Sequence, residues 1–256
     1  MTNKLGRRSF VLRMLAVGGT TVLAGCEKLS HTGWFTRALS SGEQLSSAAQ
    51  HLVTSRRSMA QEFTEADRSP TFRSNGTSAP DDDDYREMAA NNFKEYRLEV
   101  DGLVEKPAAL TLAQLRALPS RTQITRHDCV EGWSAIAKWQ GTKLSAVLAL
   151  VRPRPEARFV VFYCADPMGG DEDTKYYESI DMEDAYHPQT ILAYDLNDQP
   201  LPVANGAPLR ARIERQLGYK QAKYIMRIEL VSSFDAIQGG KGGYWEDQGY
   251  QWYAGI

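Results

Sequence analysis

The sequence of 256 residues predicts an α+β domain with mixed sheets. Tyr96, Leu98 and Val100 alternate with charged residues, so residues 95–101 are expected to form a strand. Residues 158–164 are nearly all apolar and indicate another strand. Short helical patterns lie between the strands, and this mixture is typical of the α+β class.

Two helices are predicted from capping and periodicity. Thr111 can cap a short helix that runs through Leu118, and Pro119 stops it. A second helix is indicated by apolar residues at helical spacing, namely Leu144, Val147, Leu148 and Val151.

Two further strands are predicted in the C-terminal half. Residues 191–196 form one arm of a hairpin that turns at Asn197 and Asp198. A later strand is expected to place four side chains on one face, namely Tyr224, Met226, Ile228 and Leu230.

The chain divides into three parts by composition. Residues 91–256 suit one compact domain with a sizeable core. Residues 26–90 are rich in Ser, Arg, Glu and Gln and are predicted to be a tether, with one helix near 46–63. The acidic run 81–84 lacks the alternate ligand spacing of a calcium loop, so a solvated linker is favoured.

Residues 1–25 have the features of an export signal. Arg7 and Arg8 form a twin-arginine motif, and the apolar run 11–24 that follows is short for a membrane span. The segment that ends at Cys26 matches a lipoprotein cleavage box, which predicts a lipid anchor on that residue. An uncleaved anchor helix and a later cleavage site are the alternatives.

Loss of this signal would remove four basic residues and change the formal net charge from −2 to −6. A mildly acidic chain does not support nucleic-acid binding, which needs a clustered basic face. After acylation of Cys26, Cys129 and Cys164 would be the remaining thiols in an oxidising compartment, so a disulfide between them is an open alternative.

Cys129 is the residue best suited to metal or redox chemistry. A thiolate binds soft metals and attacks electrophiles, and Arg126 and His127 could favour the ionised form. The alternative is a buried structural cysteine, because free cysteine is among the most buried residue types.

Three ordered segments resemble the molybdenum-cofactor domain of the sulfite oxidase family and, within it, the catalytic subunit of periplasmic methionine-sulfoxide reductases. They are Asn91-Asn-Phe93, the Cys-Val-Glu-Gly-Trp-Ser segment from Cys129, and residues 192–202 followed by Asn205-Gly-Ala-Pro-Leu-Arg210. The resemblance covers about residues 91–231. It implies a mixed-sheet sulfite-oxidase-type molybdopterin-binding fold with molybdopterin (the molybdenum cofactor) bound.

The resemblance also implies roles for individual residues. Cys129 stands at the position of the metal ligand, and Arg210 and Lys223 match residues that contact the cofactor phosphate. The other implied cofactor contacts are Asn91, Lys94, Glu95, Cys164, Asn205, Gln221 and Ala222. At Cys164 the methionine-sulfoxide reductases carry Thr.

Tyr176 is a candidate catalytic residue, because residues 176–180 resemble the sulfite oxidase segment that places a tyrosine beside the metal's oxo group. A phenol there could donate a hydrogen bond to a substrate oxygen. Tyr177 is the alternative if the register slips by one residue. His127 and His187 could carry protons or could be structural.

One departure from the family bears on the substrate. Animal and plant sulfite oxidases carry an Asn-Arg-Arg element after the ligand cysteine, whereas this chain has Glu131-Gly-Trp133. Sulfite specificity is therefore not implied. The chain also lacks a Cys-x-x-Cys-His haem motif, so a separate electron carrier is expected, for which a membrane haem protein is one candidate.

The sequence thus predicts an exported, periplasmic, lipid-anchored molybdopterin-dependent oxidoreductase. It would transfer an oxygen atom to or from a small sulfur- or nitrogen-centred substrate. Two alternatives stay open: a thiol enzyme with His127 as base and Cys129 as nucleophile, and a non-catalytic exported lipoprotein that retains the fold.

Overall fold

The computed structural model describes residues 58–168 and 171–256, without the side chains of 171–173. The predicted export signal, the lipid anchor at Cys26 and the first part of the tether lie outside the described residues and stay predictions. Across the described ranges, no helix is long and apolar enough to cross a bilayer.

The first of two sheets has five strands. They are β1 (Arg97–Gly102), β2 (Ala108–Thr111), β5 (Phe159–Met168), β6 (Asp171–Asp181) and β10 (Ile225–Val231), in the spatial order β2-β1-β10-β5-β6. The β1–β10 pair is parallel and the other pairs are antiparallel. This mixed sheet agrees with the predicted α+β class.

The second sheet is antiparallel and carries the cysteine motif. Its strands are β3 (Ser120–Cys129), β4 (Trp133–Lys143), β7 (Ile191–Leu196), β8 (Gln199–Pro200) and β9 (Arg210–Arg212). The order is β3-β4-β7-β8, with β9 also paired to β7. The pairing of β3 with β4 places Cys129 opposite Trp133 at the end of a hairpin.

Short helices connect the strands. They are α1 (Asp83–Ala90), α2 (Leu112–Ala117), α3 (Leu144–Val151), α4 (Met182–Ala185) and α5 (Tyr244–Asp247), with 3-10 turns at Glu65–Asp67, Val203–Asn205 and Gly218–Lys220. Thr111 caps α2 as predicted, because its hydroxyl accepts a hydrogen bond from the Gln114 N–H at 3.0 Å.

The main hydrophobic core takes side chains from both sheets. Leu98, Phe162 and Ile228 from the first sheet and Leu192 and Ala211 from the second all belong to it. A smaller cluster surrounds Trp139 on β4, and Phe72 packs against it.

Most predicted elements are confirmed, but the last strand differs. Tyr224 has a φ of 57° and precedes β10, and the pairing with β5 is irregular between Ile225 and Arg227. This irregularity resets the alternation, so Ile225 is fully buried while Met226 is only partly buried. The prediction of one continuous face from Tyr224 to Leu230 is therefore wrong.

The predicted tether differs from the structure over its described part. Residues 58–80, here called the strap, pair with the second sheet: Glu62 bridges Thr125, and the Ser69 N–H donates to the Ile136 carbonyl at 2.9 Å. Residues 58–63 are extended rather than helical. Short-range composition missed these contacts because they are made with residues more than 60 positions away.

The acidic run at 81–84 begins a helix and is not a linker. The Asp82 carboxylate accepts a hydrogen bond from the Tyr85 N–H at 2.8 Å and pairs with Lys175 at 2.6 Å. Acidic residues stabilise the first turn of a helix through the exposed N–H groups and the helix dipole. Tyr85 is fully buried and donates to the Ala207 carbonyl, so α1 is part of the domain.

We predict that Phe72→Ala destabilises residues 58–256 by about 2 kcal/mol, because a partly buried ring is lost from the Trp139 cluster. The measurement is urea unfolding. Thr71→Ala, at an exposed neighbouring position, is the control and should change stability by less than about 0.5 kcal/mol. Equal stability of the Phe72 variant and the wild type would mean that the strap does not support the domain.

Candidate active site

A cavity of about 230 Å³ contains the candidate metal ligand. Its lining comes from the strap, the β3–β4 hairpin, β5, β6, the 3-10 turn Gly218–Lys220 and the C-terminal segment. The residues of the lining are Asn75, Gly76, Thr77, Cys129, Val130, Glu131, Asp166, Met168, Tyr176, Gly218, Tyr219, Gln221, Lys223, Trp245 and Tyr250. Four of the predicted site residues therefore meet here: Cys129, Tyr176, Gln221 and Lys223.

Cys129 lies at the end of β3, where the chain turns back into β4. The Gly132 N–H donates to the Cys129 carbonyl at 3.0 Å, and Gly132 has a φ of 84°. Only glycine adopts this backbone region readily, so the turn explains the Cys-Val-Glu-Gly order. The turn holds a partly exposed thiol at the cavity wall.

The Cys129 thiol is not activated by its sequence neighbours. Burial raises its pKa, and the Glu131 carboxylate adds to this, although Arg210 and Arg73 oppose it. Arg126 pairs instead with Asp128, and burial holds the pKa of His127 well below its usual value, so His127 is neutral. The expectation that Arg126 and His127 ionise Cys129 is wrong. A bound metal would favour the thiolate.

Cys129 and Cys164 are both free in the structure, so the disulfide alternative is excluded. Cys164 is buried in the main core on β5, and burial raises the pKa of its thiol well above the usual value. It lies outside the cavity lining. A direct contact of Cys164 with the cofactor stays a prediction.

Arg210 is fully buried behind the cavity wall at the start of β9. Its guanidinium donates to the Asn205 carbonyl at 3.1 Å and to Asn75 Oδ1 at 3.0 Å. Burial, followed by repulsion from Arg212, lowers the pKa of Arg210 to about 9. Arg210 Nε and Asn205 Nδ2 are buried donors without a hydrogen-bond partner among the described residues.

Lys223 is a second buried cation, and its ammonium reaches the cavity. Burial, followed by repulsion from Arg210, lowers its pKa to about 7. Gly206 has a φ of 113°, and a Cβ there would lie 2.9 Å from the Lys223 Cβ, so glycine lets the two segments meet. Gln221 lines the cavity and Ala222 is buried beside it.

Arg212, which sequence reasoning missed, has its charge balanced locally. Its guanidinium makes a two-point contact with Glu214, with the shorter distance 2.5 Å, and both side chains are fully buried. It also donates to His127 Nδ1 at 3.0 Å. Burial holds the pKa of His127 well below its usual value, which makes it a weak base and disfavours the thiol-enzyme alternative.

Tyr176 and Tyr177 occupy opposite faces of β6. Tyr176 lines the cavity, and its hydroxyl donates to the Tyr219 carbonyl at 2.5 Å. Tyr177 instead donates to Asp247 at 2.5 Å. The ring of His187 has a structural role, since its Nδ1 accepts a hydrogen bond from the Gln189 N–H at 3.2 Å and its Nε2 lies 3.2 Å from the Ser58 carbonyl oxygen. Of the two tyrosines, only Tyr176 is placed to meet a ligand in this cavity.

Asn91, Lys94 and Glu95 lie outside the cavity lining. Asn91 ends α1, and its side-chain oxygen accepts a hydrogen bond from the Lys94 N–H at 3.2 Å. Lys94 and Glu95 are exposed. Their assignment as cofactor contacts therefore stays a prediction.

The cavity also has walls that the motifs did not indicate. Trp245 and Tyr250 pack with ring centroids 5.3 Å apart, and Tyr219 meets Tyr250 edge to face. Asp166 is a buried carboxyl whose pKa burial raises to about 6. An acid within the apolar run of β5 was a usable signal for Asp166, whereas the aromatic residues converge only through tertiary structure.

Lys220 forms a buried charge cluster beside the cavity. Its ammonium donates to Glu178 and, at 2.5 Å, to Glu246, and all three side chains are essentially inaccessible to solvent. Burial raises the pKa of Glu178 well above its usual value, and repulsion from Glu246 adds to this. The cluster fixes the 3-10 turn that presents Tyr219 and Gln221 to the cavity.

Comparison with known proteins identifies the domain. The family of the oxidoreductase molybdopterin binding domain matches residues 86–236, which is more than half of the chain. The chain belongs to this family. Residues 86–256 are here called the molybdopterin domain. The family is one of oxidoreductases whose cofactor is molybdopterin, so the alternative of a non-catalytic lipoprotein is not supported.

Two relatives and one solved structure are similar to the chain. A provisionally assigned protein-methionine-sulfoxide reductase subunit, YedZ1, of Azospira oryzae is 39% identical over 97% of this chain and 87% of its own length. The methionine-sulfoxide reductase catalytic subunit MsrP of Campylobacter jejuni is 31% identical over 55% of this chain and 50% of its own. The sulfane dehydrogenase SoxCD of Paracoccus pantotrophus shares the fold, with a TM-score of 0.50 and 22% identity over 59% of this chain and 45% of its own.

The residues of the molybdopterin domain fit a ligand that carries a phosphate and a metal. Cys129 offers a soft ligand at the cavity wall. Arg210 Nε and Asn205 Nδ2 are buried donors that lack partners in the described part of the chain, and Lys223 is a buried cation. Buried donors without a partner are costly, so an anionic ligand beside these side chains would supply the missing hydrogen-bond acceptors.

We predict that Lys220→Met destabilises the molybdopterin domain by about 3–5 kcal/mol, because it leaves Glu178 and Glu246 buried without their cation. Changing both glutamates to Gln in the Lys220→Met background should recover part of this loss. Urea unfolding of the cofactor-free protein measures both effects.

The control is Lys241→Met, at an exposed position, which should be neutral. If Lys220→Met is also neutral, the buried cluster does not hold the turn.

Proposed function

We propose that this chain is the catalytic subunit of an exported methionine-sulfoxide reductase. The reaction converts a sulfoxide, two electrons and two protons into a thioether and water. The observation that carries the proposal is the composition of the cavity lining. Cys129 lines the same cavity as a group of aromatic and apolar side chains, namely Met168, Trp245 and Tyr250.

The chemistry of this group favours a sulfoxide over sulfite. Trp245, Tyr250 and Met168 offer aromatic and thioether surface, which suits the methyl and methylene groups next to a sulfoxide sulfur. Sulfite carries two negative charges and gains little from such a surface. The buried cations Arg210 and Lys223 bond to the strap and make no hydrogen bond with these aromatic residues among the described contacts.

Within this proposal each cofactor contact has a chemical reason. When bound, molybdopterin supplies a redox-active metal that exchanges an oxygen atom with the substrate. The Cys129 sulfur would bind that metal, and Arg210 and Lys223 would bind the phosphate through charge-assisted hydrogen bonds. Asn205 and Gln221 would donate to polar edges of the pterin.

Tyr176 is proposed as the hydrogen-bond donor to the substrate oxygen. Its hydroxyl now donates to the Tyr219 carbonyl, and rotation of the phenol O–H would redirect that proton into the cavity. Burial raises the pKa of Tyr176 well above its usual value, so the phenol keeps its proton at neutral pH. A neutral phenol can donate to an oxygen without ionising first.

Two further features complete the proposal. The twin-arginine motif at Arg7 and Arg8 would send the folded protein to the periplasm, with Cys26 as its lipid anchor. Electrons would come from a separate carrier, for which a membrane haem protein is the candidate. The Azospira and Campylobacter relatives, both named for methionine-sulfoxide reduction, support this assignment.

The test is turnover by the molybdenum-loaded enzyme with a panel of substrates and artificial electron carriers. The panel contains methionine sulfoxide free and in a peptide, dimethyl sulfoxide, an N-oxide and sulfite. Sulfoxides should be reduced at least about tenfold faster than sulfite is oxidised, a difference of about 1.4 kcal/mol in transition-state binding. Faster turnover of sulfite would contradict the proposal.

We predict that Cys129→Ser keeps the fold but lowers sulfoxide reduction by at least about a hundredfold, because a hydroxyl is a poor ligand for a soft site. Steady-state kinetics and molybdenum content are measured together. Leu150→Ser, at an exposed position outside the cavity lining, is the control and should leave both quantities unchanged. Full activity of the Cys129 variant with molybdenum still bound would refute the ligand assignment.

We predict that Lys223→Met lowers cofactor occupancy at least about tenfold and changes the pH dependence of the cofactor-free protein. The pKa of Lys223 is about 7 in the fold, below its usual value, so the unfolded chain binds more protons above pH 7. The stability of the wild type should therefore rise from pH 7 to pH 9.5 relative to the variant. Arg210, Asp166, Cys164 and Glu131 face the ammonium and are present in both proteins.

Melting temperatures at the two pH values, together with molybdenum content, measure these effects. Lys106→Met, at an exposed position, is the control and should leave both quantities unchanged. Wild-type occupancy in the Lys223 variant would show that this lysine does not bind the phosphate.

A further inference from the structure

The Lys223 ammonium already uses all of its hydrogen-bond donors. An ammonium has three N–H groups and no acceptor. Lys223 donates to the Thr77 carbonyl, to the Ala204 carbonyl at 3.2 Å and to the Ser74 hydroxyl at 3.4 Å. A phosphate oxygen can therefore bind this ammonium only if it replaces or shares one of these acceptors.

Arg210 makes contact with the same short part of the strap. One of its terminal nitrogens donates to Asn75 Oδ1 at 3.0 Å, while the other donates to the Asn205 carbonyl. Both buried cations thus bond to residues 74–77, here called the clasp. The Ala204 and Asn205 carbonyls belong to the 3-10 turn Val203–Asn205, which is fixed within the domain.

The acceptors of the clasp are neutral, and the nearby carboxylates, Asp166 and Glu131 for Lys223 and Glu214 for Arg210, offset the two positive charges only in part. Carbonyl, hydroxyl and amide oxygens satisfy hydrogen bonds without cancelling charge. Burial, followed by repulsion from Arg210, lowers the pKa of Lys223 to about 7, and burial, followed by repulsion from Arg212, lowers the pKa of Arg210 to about 9. An anion would bind the same donors more strongly, because charge-assisted hydrogen bonds are roughly twice as strong as neutral ones.

The clasp is held at its two ends and open in its middle. Upstream, Phe72 packs edge to face on Trp139, with ring centroids 5.0 Å apart, and downstream Pro80 is buried. Between them Gly76 is exposed, has a φ of 58°, and a Cβ built there would meet no atom within 4 Å. The Thr77 carbonyl also accepts a hydrogen bond from the Tyr224 hydroxyl at 2.8 Å, so release of residues 74–77 would break that bond too, while the contacts of Phe72 and Pro80 could stay.

We propose that the clasp is a placeholder: Asn75 and Thr77 accept the hydrogen bonds of Arg210 and Lys223 until the cofactor phosphate takes their place and releases residues 74–77. This inference rests on the proposed function, in which the two cations bind the phosphate. The clasp would keep both cations oriented and hydrogen-bonded before the cofactor enters. It would also make cofactor loading visible as a change in the strap.

Hydrogen exchange of the full chain tests the release. The cofactor-free protein is made in a host that cannot synthesise molybdopterin and is compared with the loaded protein. Amides of residues 74–78 should exchange at least about fivefold faster after loading, while those of β3 and β9 should slow or stay constant. Slower or unchanged exchange in residues 74–78 would overturn the placeholder role.

Two substitutions at Asn75 test the competition independently. Asn75→Asp places a carboxylate against Arg210, which should lower cofactor occupancy at least about tenfold and raise the melting temperature of the cofactor-free protein. Asn75→Ala removes the competing acceptor, so occupancy should stay equal or increase. Ser78→Asp adds the same charge at an exposed position and should change occupancy by less than about twofold.

The outcomes separate this proposal from the proposed function. A loss of cofactor in Asn75→Ala would show that the clasp helps to bind the cofactor, and the placeholder role would be wrong. If Lys223→Met retains full cofactor, the assignment of the phosphate to the two cations fails instead. Faster exchange in the clasp with cofactor loss in both Asn75→Asp and Lys223→Met supports both proposals.

Discussion

Burial of positive charge beside an apolar cavity is the constraint on which the rest of this structure depends. Arg210, Arg212, Lys220 and Lys223 are all at most 5% exposed. Moving a cation out of water costs several kcal/mol unless an anion or a full set of acceptors compensates it. The strap bonds Arg210 and Lys223, and Glu246 of the C-terminal segment bonds Lys220, so these buried charges tie both segments to the sheets.

The four cations are compensated in two different ways. Arg212 and Lys220 have carboxylate partners in Glu214 and in the Glu178–Glu246 pair, so their charges are balanced inside the protein. Arg210 and Lys223 have neutral acceptors and lowered pKa values. The first pair is neutralised inside the protein, whereas the second pair keeps positive charge that an anionic ligand would neutralise. Under the proposed function, part of the binding energy for the cofactor would come from relief of the cost of this buried charge.

The fold was predictable from the sequence wherever a local pattern decides the structure. Thr111 and Pro119 bound α2, and the apolar spacing of Leu144 and Val151 marks α3. The strap was not predictable, because its polar composition is typical of a linker and its order comes from contacts such as Phe72 on Trp139. The irregular pairing at Ile225 is likewise set by the partner strand β5 and not by its own residues.

The residues of the candidate site were likewise predictable only where a local sequence motif marks them. Cys129, Tyr176, Gln221 and Lys223 were named from ordered motifs, and the structure brings them to one cavity. Asn75, Asp166 and Trp245 were missed, because each joins the cavity from a segment whose sequence has no motif of its own. Motifs mark the residues that touch a ligand through fixed chemistry, whereas the residues that shape and charge the cavity are defined by what packs against them.

The chemistry expected of Cys129 shows this dependence on tertiary structure. Its sequence neighbours suggested an ionised thiol, but alternation along β3 turns Arg126 toward Asp128, and burial leaves His127 neutral. The residues beside Cys129 in the chain therefore do not ionise its thiol, and under the proposed function a bound metal would do so.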